Sequence, residues 1–123
     1  MLLDLTDEST IQFVWEKGIK VKDFDPNLVR KDACGAWIVR NAYGNNNNVY
    51  GWEIDHVYPI SLGGNDDEKN LRPMQWENNK SKSNDYPSYV AAIQAEGNGN
   101  VQKNVQYTIN EDLQKELSAL YNL

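Results

Sequence analysis

The most informative stretch of this sequence is residues 53–82, which read EIDHVYPISLGGNDDEKNLRPMQWENNKSK. Side chains that favour β-structure dominate residues 50–58, so we expect a strand there. A polar loop over 63–67 should follow, because two glycines precede one asparagine and two aspartates. A short second strand is predicted over 71–74, and residues 76–82 contain no helix breaker. The predicted order is strand, polar loop, strand and helix.

Four side chains in this stretch could carry chemistry together: Asp55, His56, Asn70 and Asn79. Histidine changes its protonation near neutral pH, so it can take a proton from an attacking water. Carboxylate and amide oxygens are ligands that suit Mg²⁺. A base beside such a cation fits the hydrolysis of a phosphodiester bond.

Each of these residues also has an ordinary structural explanation. A single histidine near apolar neighbours commonly serves as a hydrogen-bonded structural residue, and Asn70 could simply occupy a turn. Asp55 and His56 would point to opposite faces of a flat strand. They can serve one site only if the strand bends or ends there, and Pro59 is consistent with such an end.

In combination, these residues resemble the motif of the HNH endonuclease family. That motif has Asp-His, a Pro three residues later, Gly-Gly, Asn-Leu, and a last Asn or His followed three residues on by Lys. This sequence contains every piece in that order: Asp55-His56, Pro59, Gly63-Gly64, Asn70-Leu71, Asn79 and Lys82. The resemblance covers residues 52–82 and a lead-in at 30–35. It does not cover residues 1–25 or the tail beyond about 87.

The resemblance implies a ββα-metal core, in which two strands and a helix hold one divalent ion beside a His-Asn-Asn triad. By position, His56 would be the general base, and Asp55 and Asn79 would be the metal ligands. Asn70 would complete the catalytic set by holding the loop and orienting the histidine. Mg²⁺ is the expected cofactor, with Mn²⁺ or another transition metal as alternatives. Nearby basic residues would bind DNA phosphates: Arg72, Lys80 and Lys82.

This sequence departs from the many relatives that bind a structural zinc through two Cys-x-x-Cys pairs. The corresponding positions hold Cys34 and Trp37 in the first pair, and Gln75 and Asn78 in the second. One cysteine and one histidine cannot close a tetrahedral structural site. We therefore expect no structural zinc, and we expect tryptophan packing in its place: Trp37, Trp52 and Trp76.

Length and composition fit one α+β domain over residues 1–123. Hydrophobic residues make up 40% of the chain, enough for an ordinary core. We expect a helical lead-in over 1–35, the HNH core over about 50–84 and an extension over 86–123, with helices at both ends.

Within the lead-in, Thr6 and the acids after it predict the start of a helix, and a short helix is predicted over 25–30. A β-prone segment lies at 36–39. In the extension, we expect a helix from residue 86 to 96 and a strand over 105–109. Asn110 should cap a final helix whose apolar side chains share one face.

The charge of the chain bears on whether nucleic acid can be its partner. The net charge is -6 and the sequence pI is near 4.7, which argues against binding a polyanion. Residues 69–82, however, hold four basic residues and one acid, so a local basic patch remains compatible with nucleic acid. No apolar run approaches the roughly 20 residues of a membrane span. The first residues also lack the features of an export signal, so we expect a cytoplasmic protein.

Two functions remain open at this point. The leading prediction is a metal-dependent endonuclease that hydrolyses DNA, with double-stranded DNA as the expected partner. The alternative is a catalytically silent HNH-fold domain that binds nucleic acid or protein. The presence of Asp55, His56, Asn70 and Asn79 favours the enzyme, since a decayed site would have lost one of them. The oligomeric state is left open.

Overall fold

Three helices and three two-stranded antiparallel sheets make up the computed structural model, which describes residues 1–123. The expected α+β class is confirmed, and the chain forms one small domain. None of the helices has the length and hydrophobicity needed to cross a membrane. The elements in chain order are α1 (Glu8–Trp15), β1 (Val29–Lys31), β2 (Trp37–Val39), β3 (Trp52–His56), β4 (Leu71–Gln75), α2 (Trp76–Lys82), β5 (Ser88–Glu96), β6 (Gly99–Thr108) and α3 (Glu111–Tyr121).

The informative stretch folds in the predicted order of strand, loop, strand and helix. β3 pairs antiparallel with β4, in a register that sets Asp55 opposite Arg72 and His56 opposite Leu71. α2 begins directly after β4, where the Gln75 side chain accepts a hydrogen bond from the Asn78 amide and so caps the helix. Short 3-10 turns lie in the long connection between the two strands.

The β3–β4 pair lies between two apolar clusters. On one side, Trp52 and Ile54 pack with the buried face of α1, where the Trp15 and Trp52 ring centroids are 5.3 Å apart. On the other side, Val57 and Met74 pack with residues of β5 and α3. Burial on both faces fixes the register of the pair, since a slip by one residue would exchange the two faces.

The structure corrects two helix predictions. Residues 25–30 form a turn followed by β1, because Arg30 pairs with Ile38 of β2 and its buried guanidinium donates to carbonyl oxygens of Pro26, Glu16 and Gly18. The predicted helix over 86–96 is instead β5, which forms a hairpin with β6. Gly97, at φ 60°, makes the turn of that hairpin.

Other predictions at the two ends are confirmed. The first helix exists, although Asp7 rather than Thr6 caps it by accepting a hydrogen bond from the Ser9 amide. The predicted strand over 105–109 lies largely within β6. Asn110 caps α3 by accepting from the Leu113 amide at 2.8 Å.

Candidate active site

A cleft of about 210 Å³ brings three of the predicted site residues together. Asp55 and His56 reach it from the end of β3, and Asn79 reaches it from α2. A larger cavity of about 590 Å³ lies elsewhere, among side chains of α1, β4 and α3, and contains none of these three. The groups with the expected chemistry therefore meet at the smaller cleft.

His56 has an acidic partner that the sequence reasoning missed. Its Nε2 lies 2.7 Å from Oδ1 of Asp66, a residue of the polar loop between β3 and β4. The His56 side chain is 18% exposed, while that of Asp66 is 41% exposed. The signal available in the sequence was the pair of aspartates after Gly-Gly-Asn, ten residues beyond the histidine.

Asp55 is buried and already paired. Its Oδ2 accepts a hydrogen bond from Nε of Arg72 at 2.9 Å, and Lys82 Nζ lies 3.4 Å from its Oδ1. The Arg72 guanidinium also donates to the Tyr89 hydroxyl at 3.2 Å. Burial lowers the pKa of Lys82, and the Asp55 charge acts in the opposite direction. The carboxylate thus has two cations beside it.

Of the three residues predicted to bind DNA, Lys82 lies in the interior and Arg72 is largely buried. Lys82 is fully buried, and its ammonium donates to the carbonyl oxygens of His56 and Val57 at 3.2 and 3.1 Å. Arg72 is 13% exposed and is held by Asp55. Contact of Lys82 with phosphate is incompatible with this burial, so Lys82 holds the end of β3 instead. Lys80, on the opposite side of α2, is exposed.

Asn79 presents an unpartnered oxygen. Its Nδ2 lies 3.4 Å from Oε1 of Glu53, while its Oδ1 accepts no hydrogen bond from the protein. The neighbouring Asn78 is fully buried and its Nδ2 donates to the Ile93 carbonyl of β5, so of these two adjacent asparagines only Asn79 lines the cleft.

The donor set at the cleft fits a hard divalent cation. An ionised carboxylate has about four lone-pair sites, and protein groups occupy only part of that capacity at Asp55. The free Oδ1 of Asn79 adds a second oxygen donor. Oxygen ligands from a carboxylate and an amide match what Mg²⁺ prefers, with water or phosphate completing the shell.

Asn70 holds the loop but does not touch the histidine. It is fully buried, and its side chain bonds to the backbone of Tyr58 and to the carbonyl of Asn65. Its own carbonyl accepts from the Val57 amide at 2.9 Å. The Asn70 side chain makes no hydrogen bond to the imidazole, whose Nε2 instead lies 2.7 Å from Oδ1 of Asp66. Asn70 is a positioning residue rather than a catalytic one.

Three of the four residues at the zinc-pair positions, Cys34, Gln75 and Asn78, belong to a buried hydrogen-bond network centred on Asp32. One carboxylate oxygen of Asp32 accepts from the amides of Cys34 and Ala36, and the other accepts from the amide of Gln75 and from Nδ2 of Asn78. Burial raises the pKa of Asp32, and these four donors oppose that effect. The network ties the lead-in to β4 and α2.

The tryptophans expected to replace the zinc are dispersed instead. Trp52 packs on Trp15, Trp37 packs on Phe24 with ring centroids 4.9 Å apart, and Trp76 donates to the carbonyl of Asn48. The zinc-pair positions are therefore joined by the Asp32 hydrogen-bond network rather than by packed tryptophans. Asn78 extends this network to β5, where its Oδ1 accepts from the Ile93 amide at 2.7 Å.

Comparison with known proteins supports the resemblance. The sequence model of one family, described as HNH endonuclease, matches residues 45–88. This range includes β3, the polar loop, β4 and α2. No curated protein and no solved structure matches the chain significantly.

Proposed function

We propose that the chain is a metal-dependent endonuclease of the HNH family, because the sequence model described as HNH endonuclease matches its residues 45–88. Its proposed substrate is the phosphodiester bond of double-stranded DNA. We take residues of about 50–84 as its ββα-metal core, within one domain that includes the lead-in and the C-terminal extension.

One observation carries the proposal: within the matched segment, Asp55, His56 and Asn79 line the same cleft. The match to the family model alone indicates common ancestry. The carboxylate, imidazole and amide oxygen that line one cleft support a catalytic function. These groups lie at the end of a strand and on a helix. Side chains on such elements are held more precisely than side chains on loops.

His56 acts as the general base in the proposed reaction. Its imidazole takes the proton of a water that attacks phosphorus, and such bases typically contribute about 10²–10⁴-fold to the rate. Asp55 and Asn79 are the proposed ligands of one divalent ion, most naturally Mg²⁺, with Mn²⁺ or another transition metal as alternatives. When bound, such an ion supplies Lewis-acid stabilisation of charge on the phosphate oxygens.

Arg72 and Lys82 serve this reaction from the interior. Their positive charges lie beside the Asp55 carboxylate, with Arg72 Nε at 2.9 Å and Lys82 Nζ at 3.4 Å. The Lys82 ammonium also fixes the carbonyl groups of His56 and Val57, and so the direction in which β3 ends. Lys80 is left as the exposed member of the three predicted DNA contacts, and we propose that it binds phosphate.

The pairing of Asp55 also favours a second candidate, a silent HNH-fold domain that binds nucleic acid or protein. A carboxylate that already neutralises two buried cations has less charge to offer a metal. The net charge of -6 agrees with weak binding of polyanions. The two candidates differ in whether divalent metal produces cleavage.

The test is nicking of a supercoiled plasmid in Mg²⁺ or Mn²⁺, with and without EDTA. We expect metal-dependent nicking by the wild type and a rate about 10²–10⁴-fold lower for His56→Ala. Circular dichroism of His56→Ala should match that of the wild type, which excludes unfolding as the cause. Nicking at the wild-type rate by His56→Ala would refute the proposed base. If the protein binds DNA but cleaves it in neither Mg²⁺ nor Mn²⁺, the silent domain is favoured.

A further inference from the structure

His56 lines the cleft, and Asp66 of the neighbouring loop pairs with its imidazole, a contact that the matched motif does not explain. We propose that Asp66 is the positioning residue of the base: it holds the His56 proton on Nε2 and thereby leaves the Nδ1 lone pair free for the attacking water. Naming His56 as a base rests on the proposed function, but the proton position does not.

The first step is the direction of the hydrogen bond. Oδ1 of Asp66 lies 2.7 Å from Nε2 of His56. An ionised carboxylate only accepts hydrogen bonds, so Nε2 must carry the proton. In the neutral ring, one nitrogen donates and the other accepts. The lone pair of a neutral His56 therefore lies on Nδ1.

The second step is the accessibility of Nδ1. This nitrogen forms no hydrogen bond to any protein group. No buried side-chain nitrogen or oxygen of the chain lacks a partner, so Nδ1 cannot be buried. His56 lines the cleft together with Asp55 and Asn79. Nδ1 is consequently the ring nitrogen that water can reach.

The third step is what holds the carboxylate in place. The carbonyl of Asp66 accepts from the Leu3 amide at 2.9 Å, which ties the loop to the N-terminal segment. Next to it, Asn65 accepts from the Tyr121 hydroxyl of α3 at 2.7 Å, and its own amide donates to that hydroxyl. The side-chain amide of Asn70 donates a hydrogen bond to the Asn65 carbonyl oxygen. Segments on both sides of the matched region thus support Asp66.

The neighbouring Asp67 provides a matched control. Its carboxylate accepts from the Lys69 amide at 2.9 Å and pairs with the N-terminal ammonium at 3.2 Å. It makes no hydrogen bond to the imidazole. Asp67→Asn removes the same charge from the same loop and retains an oxygen that can accept from the Lys69 amide. Any effect of charge on DNA binding is therefore common to the two variants.

The first measurement is the ¹⁵N spectrum of the imidazole in metal-free protein, at a pH where the ring is neutral. The chain has a single histidine, so its ring signals need no assignment. We expect a proton on Nε2 and none on Nδ1 in the wild type and in Asp67→Asn. In Asp66→Asn, the amide can donate to Nε2, so a population with the proton on Nδ1 should appear. In Asp66→Ala, the Nε2 proton should exchange rapidly with water.

The second measurement is plasmid nicking by the same variants. Loss of the partner that orients a functional histidine typically costs about 10–100-fold. We expect kcat to fall by about that factor in Asp66→Asn and Asp66→Ala, with KM unchanged within about twofold. Asp67→Asn should retain its kcat, because it leaves the imidazole undisturbed.

Three results would overturn the proposal. The first is a wild-type protein with its proton on Nδ1. The second is an imidazole spectrum that neither Asp66 variant alters. The third is an equal loss of kcat in Asp67→Asn, which would assign the effect to loop integrity. If no variant nicks DNA but the spectra behave as expected, the proposed function fails while the positioning of the imidazole proton stands.

Discussion

Asn70 and Tyr58 are joined by two hydrogen bonds that close the long connection between the paired strands. Oδ1 of Asn70 accepts from the Tyr58 amide at 2.7 Å, and its Nδ2 donates to the Tyr58 carbonyl at 3.0 Å. A buried side-chain amide thus substitutes for the strand pairing that stops at His56 and Leu71. The loop that carries Asp66 depends on this closure.

Replacing Asn70 by Ala should destabilise the protein strongly. Three backbone groups, two of Tyr58 and one of Asn65, would lose their hydrogen-bond partners in a buried site. Each unsatisfied buried group costs about 1–3 kcal/mol, so we expect the free energy of unfolding to fall by about 3 kcal/mol. Urea denaturation measures this. Asn41→Ala, at an exposed asparagine, serves as the control and should change stability by less than about 0.5 kcal/mol.

The same closure explains the glycine at position 64. A Cβ placed there would lie 1.9 Å from the Tyr58 carbonyl oxygen, so the backbone would have to move. We expect Gly64→Ala to destabilise the protein more than Gly97→Ala does. Gly97 has φ 60° with nothing within 4 Å of an added Cβ, so its cost is backbone strain of about 1–2 kcal/mol. Urea denaturation of both variants tests this, and equal losses would contradict the close approach.

Local signals sufficed to predict the elements of the central segment. Residues 50–58 were rich in β-formers, and residues 76–82 lacked any breaker, so strand and helix followed from short-range preferences. Pairing between distant residues was harder to anticipate. Ala91 and Ala92 have little strand preference of their own, but pairing with β6 makes this segment a strand.

The sequence predicted which residues line the cleft better than it predicted their hydrogen-bond partners. The resemblance to the HNH motif identified Asp55, His56 and Asn79, and all three line one cleft. Charge alone does not reveal burial, so Lys82 was assigned to DNA although its ammonium serves backbone carbonyls. The partner of His56 lies in a loop whose position depends on Leu3 and on α3, which no local pattern encodes.

The different surroundings of two lysines on α2 predict different effects on DNA binding. Log affinity for duplex DNA falls with log salt at about -0.9 per neutralised phosphate. Lys80 is exposed, so Lys80→Ala should flatten this slope by about one unit and weaken all sequences alike. Lys82 is buried, so Lys82→Met should leave the slope unchanged. Fluorescence anisotropy of a labelled duplex across a salt series in Ca²⁺ measures both.

A stability measurement completes that comparison. Lys82→Met removes one partner of a buried ion pair with Asp55, for which losses of about 3 kcal/mol are typical. Lys80→Ala should change the free energy of unfolding by less than about 0.5 kcal/mol. A flattened slope in Lys82→Met, with stability unchanged, would place its ammonium on the DNA and contradict the interior role.

Cys34 should be unreactive as long as the protein is folded. Its side chain is fully buried, and burial together with the nearby Asp32 charge raises the pKa of the thiol to about 12. The thiolate is the reactive form, so at pH 8 only about one thiol in 10⁴ would be ionised even if reagent could enter. Because the pKa is raised, raising the pH from 7 to 9 leaves the thiol almost entirely protonated in the folded state.

Labelling with a thiol-specific disulfide reagent checks this. Folded protein should react far more slowly than a free cysteine derivative at the same pH, and protein in guanidinium chloride should react at once with one thiol per chain. Variants that destabilise the fold, such as Asn70→Ala, should react faster in proportion to their unfolded fraction. An ordinary thiol has a pKa of about 8.5. If the folded wild type is labelled rapidly, and the labelling rate rises with pH as expected for such a thiol, Cys34 lies at the surface.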